Sequence, residues 1–192
     1  MEAFLVSTGA VAIAEIGDKT QLLALVLAAR FRKPLPIIAG ILVATLANHG
    51  LAALFGVIVA DWLGPDLLRW ALGLSFLAMA AWIMVPDKED EDGAPRSRFG
   101  PFITTTVAFF LVEIGDKTQI ATVALAARFD DLLMVTAGTT LGMMLANVPA
   151  VLAGRTAALR LSMKLIHGAA AAVFALLGVL TLLGVGDAIG GW

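Results

Sequence analysis

EIGDKTQ occupies Glu15 to Gln21 in the middle of an apolar run, and the same seven residues return at Glu113 to Gln119. Around them, LAARF at Leu27 to Phe31 matches Leu125 to Phe129, so twelve of the seventeen positions from 15 to 31 recur 98 residues later without a gap. The five residues between the two blocks differ throughout, which makes the identity selective. The register runs on: Gly40 meets Gly138, His49 meets Asn147, Gly56 meets Gly154, and Phe76 meets Phe174.

The surroundings are apolar. Of 192 residues, 60% are hydrophobic and 15% charged, and the mean hydropathy is +0.94. This composition fits lipid rather than water as the main solvent. Six runs near 3 to 29, 34 to 60, 66 to 86, 101 to 127, 131 to 154 and 163 to 186 are each close to the roughly 20 residues a hydrocarbon core demands. The predicted fold is an all-α integral membrane protein of six transmembrane helices. It divides into a first three-helix repeat at 1–86, a charged linker at 87–100 and a second repeat at 101–192. A repeat with three spans re-enters the membrane from the opposite face, so the halves are predicted to have inverted topology, the common plan of secondary transporters.

With no cysteine, the chain has no disulfide, thiolate metal site or Cys nucleophile. Its start has no basic n-region, so the first run is expected to remain as a helix. A net charge of −2 and no basic stripe argue against nucleic acid as a partner. Alternating the loops places Arg30, Arg32, Lys33, Lys88, Arg96, Arg98, Arg155, Arg160 and Lys164 on one side, against Arg69 and Arg128 on the other. By the positive-inside rule the 87–100 loop is cytoplasmic and both termini are periplasmic. The five acids between Asp87 and Asp92 read first as a solvated loop and second as a cation collector. Trp62, Trp70, Trp82 and Trp192 fall near run ends, where interfacial anchoring suits them.

Glu15, Asp18, Glu113 and Asp116 sit where charge is most costly, at about 2.5 to 3.5 kcal/mol each on insertion scales. Spacing i, i+3 predicts that Glu and Asp of each copy share a helix face, and the inverted halves then bring four carboxylates around one ion. Gln21, Gln119, Thr20 and Thr118 add neutral oxygens, and Gly17 and Gly115 permit a local break. Such all-oxygen surroundings favour calcium, magnesium or manganese over copper or zinc. Four carboxylates with Lys19 and Lys117 sum to −2, which one divalent cation neutralises.

The structural alternative is that Glu15 with Lys19, and Glu113 with Lys117, are i, i+4 ion pairs that only hold helices together. The two lysines are expected to be internal counter-charges rather than ligands. His49 reads equally as a nitrogen ligand, a proton carrier or an interhelical hydrogen-bonding group, with Asn48 and Asn147 near it as polar support. His167, near a predicted helix end, is expected to need no special role. Gly40, Ala44 and Asn48, then Gly138, Gly142 and Ala146, recur at fourfold spacing and read as close-packing faces.

The pattern E-x-G-D-[KR]-[ST], present twice, resembles uncharacterised protein family 0016, which includes Golgi and chloroplast calcium/manganese transporters and bacterial manganese exporters of the MneA type. Both copies match without departure, at Glu15, Gly17, Asp18, Lys19, Thr20 and at Glu113, Gly115, Asp116, Lys117, Thr118. The resemblance spans essentially the whole chain. It implies export of divalent cations, Mn2+ first, in exchange for protons, with the motif acids as metal ligands. It also implies a bacterial inner membrane location. No cofactor beyond the transported ions is expected, and the chain is predicted not to be an enzyme. A calcium/proton exchanger of the same fold is the near alternative, and a non-transporting membrane scaffold the distant one. A membrane hydrolase is weaker, since no Ser/His/Asp set or histidine cluster accompanies the acids. Burial favours the neutral form of a carboxylate and a bound dication the ionised form, which would couple metal to protons. Association of two copies as a homodimer is left open.

Overall fold

A computed structural model describes residues 1–85, 99–153 and 163–184. The linker at 87–100 lies outside them except for its last two residues, as do Gly154, Arg155, Arg160 and Trp192. Every regular element among the described residues is a helix, in the order α1 (Glu2–Glu15), α2 (Lys19–Phe31), α3 (Pro34–Trp62), α4 (Pro65–Ile83), α5 (Pro101–Glu113), α6 (Lys117–Phe129), α7 (Leu132–Ala153) and α8 (Met163–Leu182). Proline opens α3, α4 and α5, where its missing N–H costs no helical hydrogen bond.

Among the described residues, four segments are long and apolar enough to cross a membrane: Pro34–Trp62, Pro65–Ile83, Leu132–Ala153 and Lys164–Leu182. A shorter apolar helix, Pro101–Glu113, joins them. The first and fourth predicted runs are not single helices. Each is a pair of short helices, of 14 and 13 residues in the first and 13 and 13 in the fourth, broken within EIGDKTQ. At 1.5 Å per residue a 13-residue helix reaches only about 20 Å, less than a hydrocarbon core of about 30 Å.

The interior holds apolar clusters, but the surface is unlike that of a water-soluble domain and polar groups are enclosed beside the core. Leu46, Leu51, Leu54, Phe55 and Ile58 of α3 face outward, while Ser7, Thr20, Thr45, Asn48, His49, Thr105, Thr122 and Asn147 are enclosed. Polar groups inside and aliphatic groups outside are what lipid selects. Trp62, Trp70 and Trp82 are exposed on α3 and α4, Trp62 at the end of its helix.

The halves are interlaced. α1 packs against α7 and α5 against α3, so the opening helix of each half rests on the long helix of the other, and α4 lies along α8. Small residues permit this. A Cβ on Gly40 would stand 2.8 Å from Thr105 Cβ and 2.9 Å from the Phe102 carbonyl oxygen, and one on Gly138 would stand 3.0 Å from Ser7 Cβ and 2.5 Å from the Phe4 carbonyl oxygen. Positions 40 and 138, 105 and 7, and 102 and 4 are all 98 apart, so one contact is made twice. Phe76 and Phe174, also 98 apart, meet each other with ring centroids 6.3 Å apart.

Gly138→Ala should therefore be destabilising by about 1 to 3 kcal/mol, the usual cost of overpacking against backbone, and should lower the thermal midpoint in detergent. Gly9→Ala, whose Cβ would meet nothing within 4 Å, should leave the midpoint unchanged or slightly raised, since alanine is the better helix former.

Candidate metal centre

Each copy of the motif is a helix break with every position in use. Glu15 ends α1 and Glu113 ends α5. Ile16 and Ile114 turn extended, with ψ of 116° and 118°. Gly17 and Gly115 follow at φ of 83° and 78°, a region L side chains avoid. Asp18 and Asp116 stand at the N-cap positions of α2 and α6, and the Asp116 carboxylate accepts the Thr118 N–H at 3.4 Å. The glutamines close the break: Gln21 Oε1 accepts the Gly17 N–H at 3.0 Å and Gln119 Oε1 accepts the Gly115 N–H at 2.7 Å. Gln21 Nε2 also donates to the Ala146 carbonyl at 2.9 Å, tying α2 to α7.

This corrects the expectation of one helical face carrying Glu and Asp at i, i+3. The acid pair straddles a break, so its geometry is set by the turn. The close approach of carboxylates occurs between the halves. Glu15, Glu113 and Asp116 each offer an oxygen, and the three oxygens lie within 4.8 Å of one another. Both glutamates are fully enclosed and Asp116 is 5% exposed. Asp18 is also buried and lines a small cavity beside this group, but it is not one of the three.

The threonines prepare the glutamates. Thr20 Oγ1 donates to Glu15 Oε2 at 2.7 Å, across the break. Thr118 Oγ1 lies 3.2 Å from Glu113 Oε2 and 3.4 Å from Asp116 Oδ2, and its single proton serves one at a time. The other oxygen of each glutamate, Oε1, is buried with no hydrogen-bond partner. Two buried carboxylate oxygens without donors are costly unless something positive meets them.

Lys19 answers part of that charge. Its Nζ lies 2.6 Å from Asp116 Oδ1, so the ion pair recorded here joins the two halves, in place of the i, i+4 pair with Glu15. Lys117 Nζ donates to the Val85 carbonyl at 3.0 Å. Fully ionised, three carboxylates and the Lys19 ammonium sum to −2.

Asn48, His49 and Asn147 are not among the residues that line the cavity beside these carboxylates. Asn48 Nδ2 donates to the Phe110 carbonyl at 3.0 Å, bracing α3 on α5, and Asn147 Nδ2 donates to the Met143 carbonyl at 3.1 Å within α7. His49 is fully enclosed, with neither ring nitrogen hydrogen-bonded. Conversely, the cavity is lined by Ala14, Glu15, Asp18, Ile83, Asp116, Lys117, Thr118 and His167. His167 had no signal in the sequence, because the residue 98 positions before it is Arg69.

These features define a helical integral membrane protein enclosing a compact group of carboxylates. The family model described as divalent cation/proton antiporter GDT1 matches residues 3–91 and 101–188, and the chain belongs to that family. It is thus a transporter rather than an enzyme. It is 55% identical, over 94% of this chain and 90% of the relative, to a Vibrio cholerae protein named "Putative manganese exporter". It is 27% identical, over 85% of this chain and 88% of the relative, to a Synechocystis protein named "GDT1-like protein sll0615". No solved structure matches the chain.

No atom lies within 4 Å of a Cβ built on Gly115, so Gly115→Ala should cost only the left-handed backbone, about 1 to 2 kcal/mol. Gly115→Asn should recover much of that loss, because asparagine tolerates this region. Thermal midpoints of the two variants in one detergent check the order.

Proposed function

We propose that this chain exports Mn2+ from the cytoplasm in exchange for protons, binding it at Glu15, Glu113 and Asp116, with Asp18 on the path to that site. The observation that carries this reading is the pair of buried, unpartnered Glu15 and Glu113 Oε1 atoms inside a three-carboxylate cluster. A dication supplies the missing positive partner and matches the formal charge of −2. Thr20 and Thr118 hold the other glutamate oxygens in place, which preorganises the free ones. Oxygen donors suit manganese and calcium, and the Vibrio relative's name favours manganese.

Exchange follows from charge balance. A carboxylate cluster shut away from water cannot be left without compensation, so departure of a metal requires other cations, and protons are the smallest. Lys19 is the internal partial counter-ion, which an arriving metal would displace from Asp116.

In this reading the two broken pairs, α1 with α2 and α5 with α6, are each one span of a six-span, inverted-repeat carrier. Broken helices at a shared midplane site are the usual construction of such carriers. The doubled Gly40 and Gly138 contacts and the Phe76–Phe174 contact support a two-fold relation between halves. Because the broken pairs rest on the opposite half's long helix, the moving bodies are each a broken pair with that helix rather than the sequence halves. Gln21 and Gln119 act by fixing the breaks. The charge bias places the 87–100 segment in the cytoplasm and both termini in the periplasm of a bacterial inner membrane.

In proteoliposomes, Mn2+ uptake driven by a pH gradient is expected. It should fall at least about a hundredfold in Glu15→Gln and in Glu113→Gln, the scale for losing a charge-stabilising group from an enclosed site. Wild-type flux in either variant would remove the assignment, and Ca2+ uptake that outcompetes Mn2+ would move the reading to a calcium exchanger. Because the chain has no cysteine, a thiol introduced at position 93 should react with an impermeant reagent only from the cytoplasmic face of spheroplast-derived vesicles. Reaction only from the outside would reverse the orientation.

A further inference from the structure

Of the polar residues that line the cavity beside the carboxylates, His167 alone has no identical counterpart in the other half. Glu15 and Asp18 come from the first helix break, and Asp116 and Thr118 from the second, whereas His167 comes from near the start of α8. The residue in its register in the first half is Arg69, whose guanidinium lies 3.5 Å from the Asp66 carboxylate on its own helix. One half therefore offers a nitrogen donor where the other offers a fixed cation.

His167 also differs from its neighbours in exposure. It is half-buried, while Asp18 and Asp116 are buried and Glu15 and Glu113 are wholly enclosed. It stands outside the group of three mutually close carboxylates. From the imidazole inward, the lining thus passes from a partly wetted nitrogen donor to enclosed carboxylate oxygens. Ile83 and Ala14 complete the wall with apolar surface. The cavity is about 10 Å³, room for roughly one water-sized body. An ion passing through it must shed most of its waters onto protein atoms. Lys117 faces the same space with an ammonium, whose Nζ is held on the Val85 carbonyl and which offers a cation no lone pair.

We propose that His167 is the mouth ligand of this pathway, an imidazole that takes the cation from water before the carboxylates do and favours a transition-metal dication over calcium or magnesium. The inference rests on the reading of Glu15, Glu113 and Asp116 as the transport site. Its chemistry is simple. Calcium and magnesium take oxygen ligands nearly to the exclusion of others, whereas manganese and the metals after it in the first transition row accept imidazole. The three-carboxylate cluster alone does not separate manganese from calcium, and a nitrogen donor on the way to it does. Ile83 closes α4 and His167 lies near the opening of α8, so the mouth lies toward the segments that the charge bias assigns to the cytoplasm.

The test is transport selectivity in proteoliposomes, with Mn2+ flux measured against Ca2+ as competitor. His167→Ala should raise half-saturation for Mn2+ roughly tenfold, the scale for losing a supporting group at a metal site, while Ca2+ half-saturation moves by no more than about twofold. An unchanged Mn2+ to Ca2+ preference would overturn the proposal. His167→Cys in this cysteine-free chain adds a readout that a misfolded protein cannot mimic. Its thiol should make flux newly sensitive to Cd2+, a soft cation, and Mn2+ should protect it from an impermeant maleimide. Absence of both effects would also overturn the proposal. Glu113→Gln separates the two levels. If it abolishes flux of both metals while His167→Ala keeps native preference, only the role of His167 falls. If Glu113→Gln transports both metals like wild type, the carboxylate site falls and this inference with it.

Discussion

The enclosed meeting of Glu15 and Glu113 is the constraint on which the rest of the structure depends. Two carboxylates in a lipid-facing bundle are tolerated only if one oxygen of each is hydrogen-bonded and the other is held for something positive. EIGDKTQ meets the first condition within seven residues. It ends a helix at the glutamate, uses glycine for a backbone that other residues resist, restarts the helix at aspartate, and returns a threonine hydroxyl to the carboxylate. The glutamine then binds the glycine N–H and closes the gap. The second condition is left to Lys19 in part and, in the proposed cycle, to metal and protons.

The scaffold follows from bringing two such breaks together. Each opening helix lies on the other half's long helix, and the contact needs glycine at 40 and 138 because a side chain there would meet backbone carbonyls. The repeat is therefore visible as contacts made twice as well as letters written twice. Where the halves differ, the difference is chemical: Lys19 reaches across to Asp116, Lys117 holds Val85, and His167 replaces the cationic Arg69 of the other register. A site with two-fold origins but unequal surroundings can favour one conformation over another, as alternating access requires.

Much of this was legible in the sequence. The apolar runs at 34–60, 66–86, 131–154 and 163–186 mark α3, α4, α7 and α8, and the duplicated acids include the three that converge. Glu and Asp of each copy lie on either side of a break, because glycine at positive φ interrupts the continuous helix that i, i+3 spacing describes. Of the four motif acids, Glu15, Glu113 and Asp116 converge most closely, and Asp18 lines the adjoining cavity with Glu15 and Asp116. Asn48 and His49 stand out in the sequence as polar residues in a span; Asn48 braces α3 on α5, and neither is among the residues lining the cavity. His167, which lines the cavity, carries no repeat signal, because its counterpart 98 positions earlier is Arg69.

The central claim is that one buried carboxylate cluster holds either metal or protons. Equilibrium binding of Mn2+ to purified protein in weakly buffered detergent, with released protons counted in the same titration, tests it most directly. The account predicts saturable binding accompanied by stoichiometric proton release, both lost together when Glu15 and Glu113 are changed to glutamine. Saturable Mn2+ binding with no proton release, or binding that survives the double change, would contradict it.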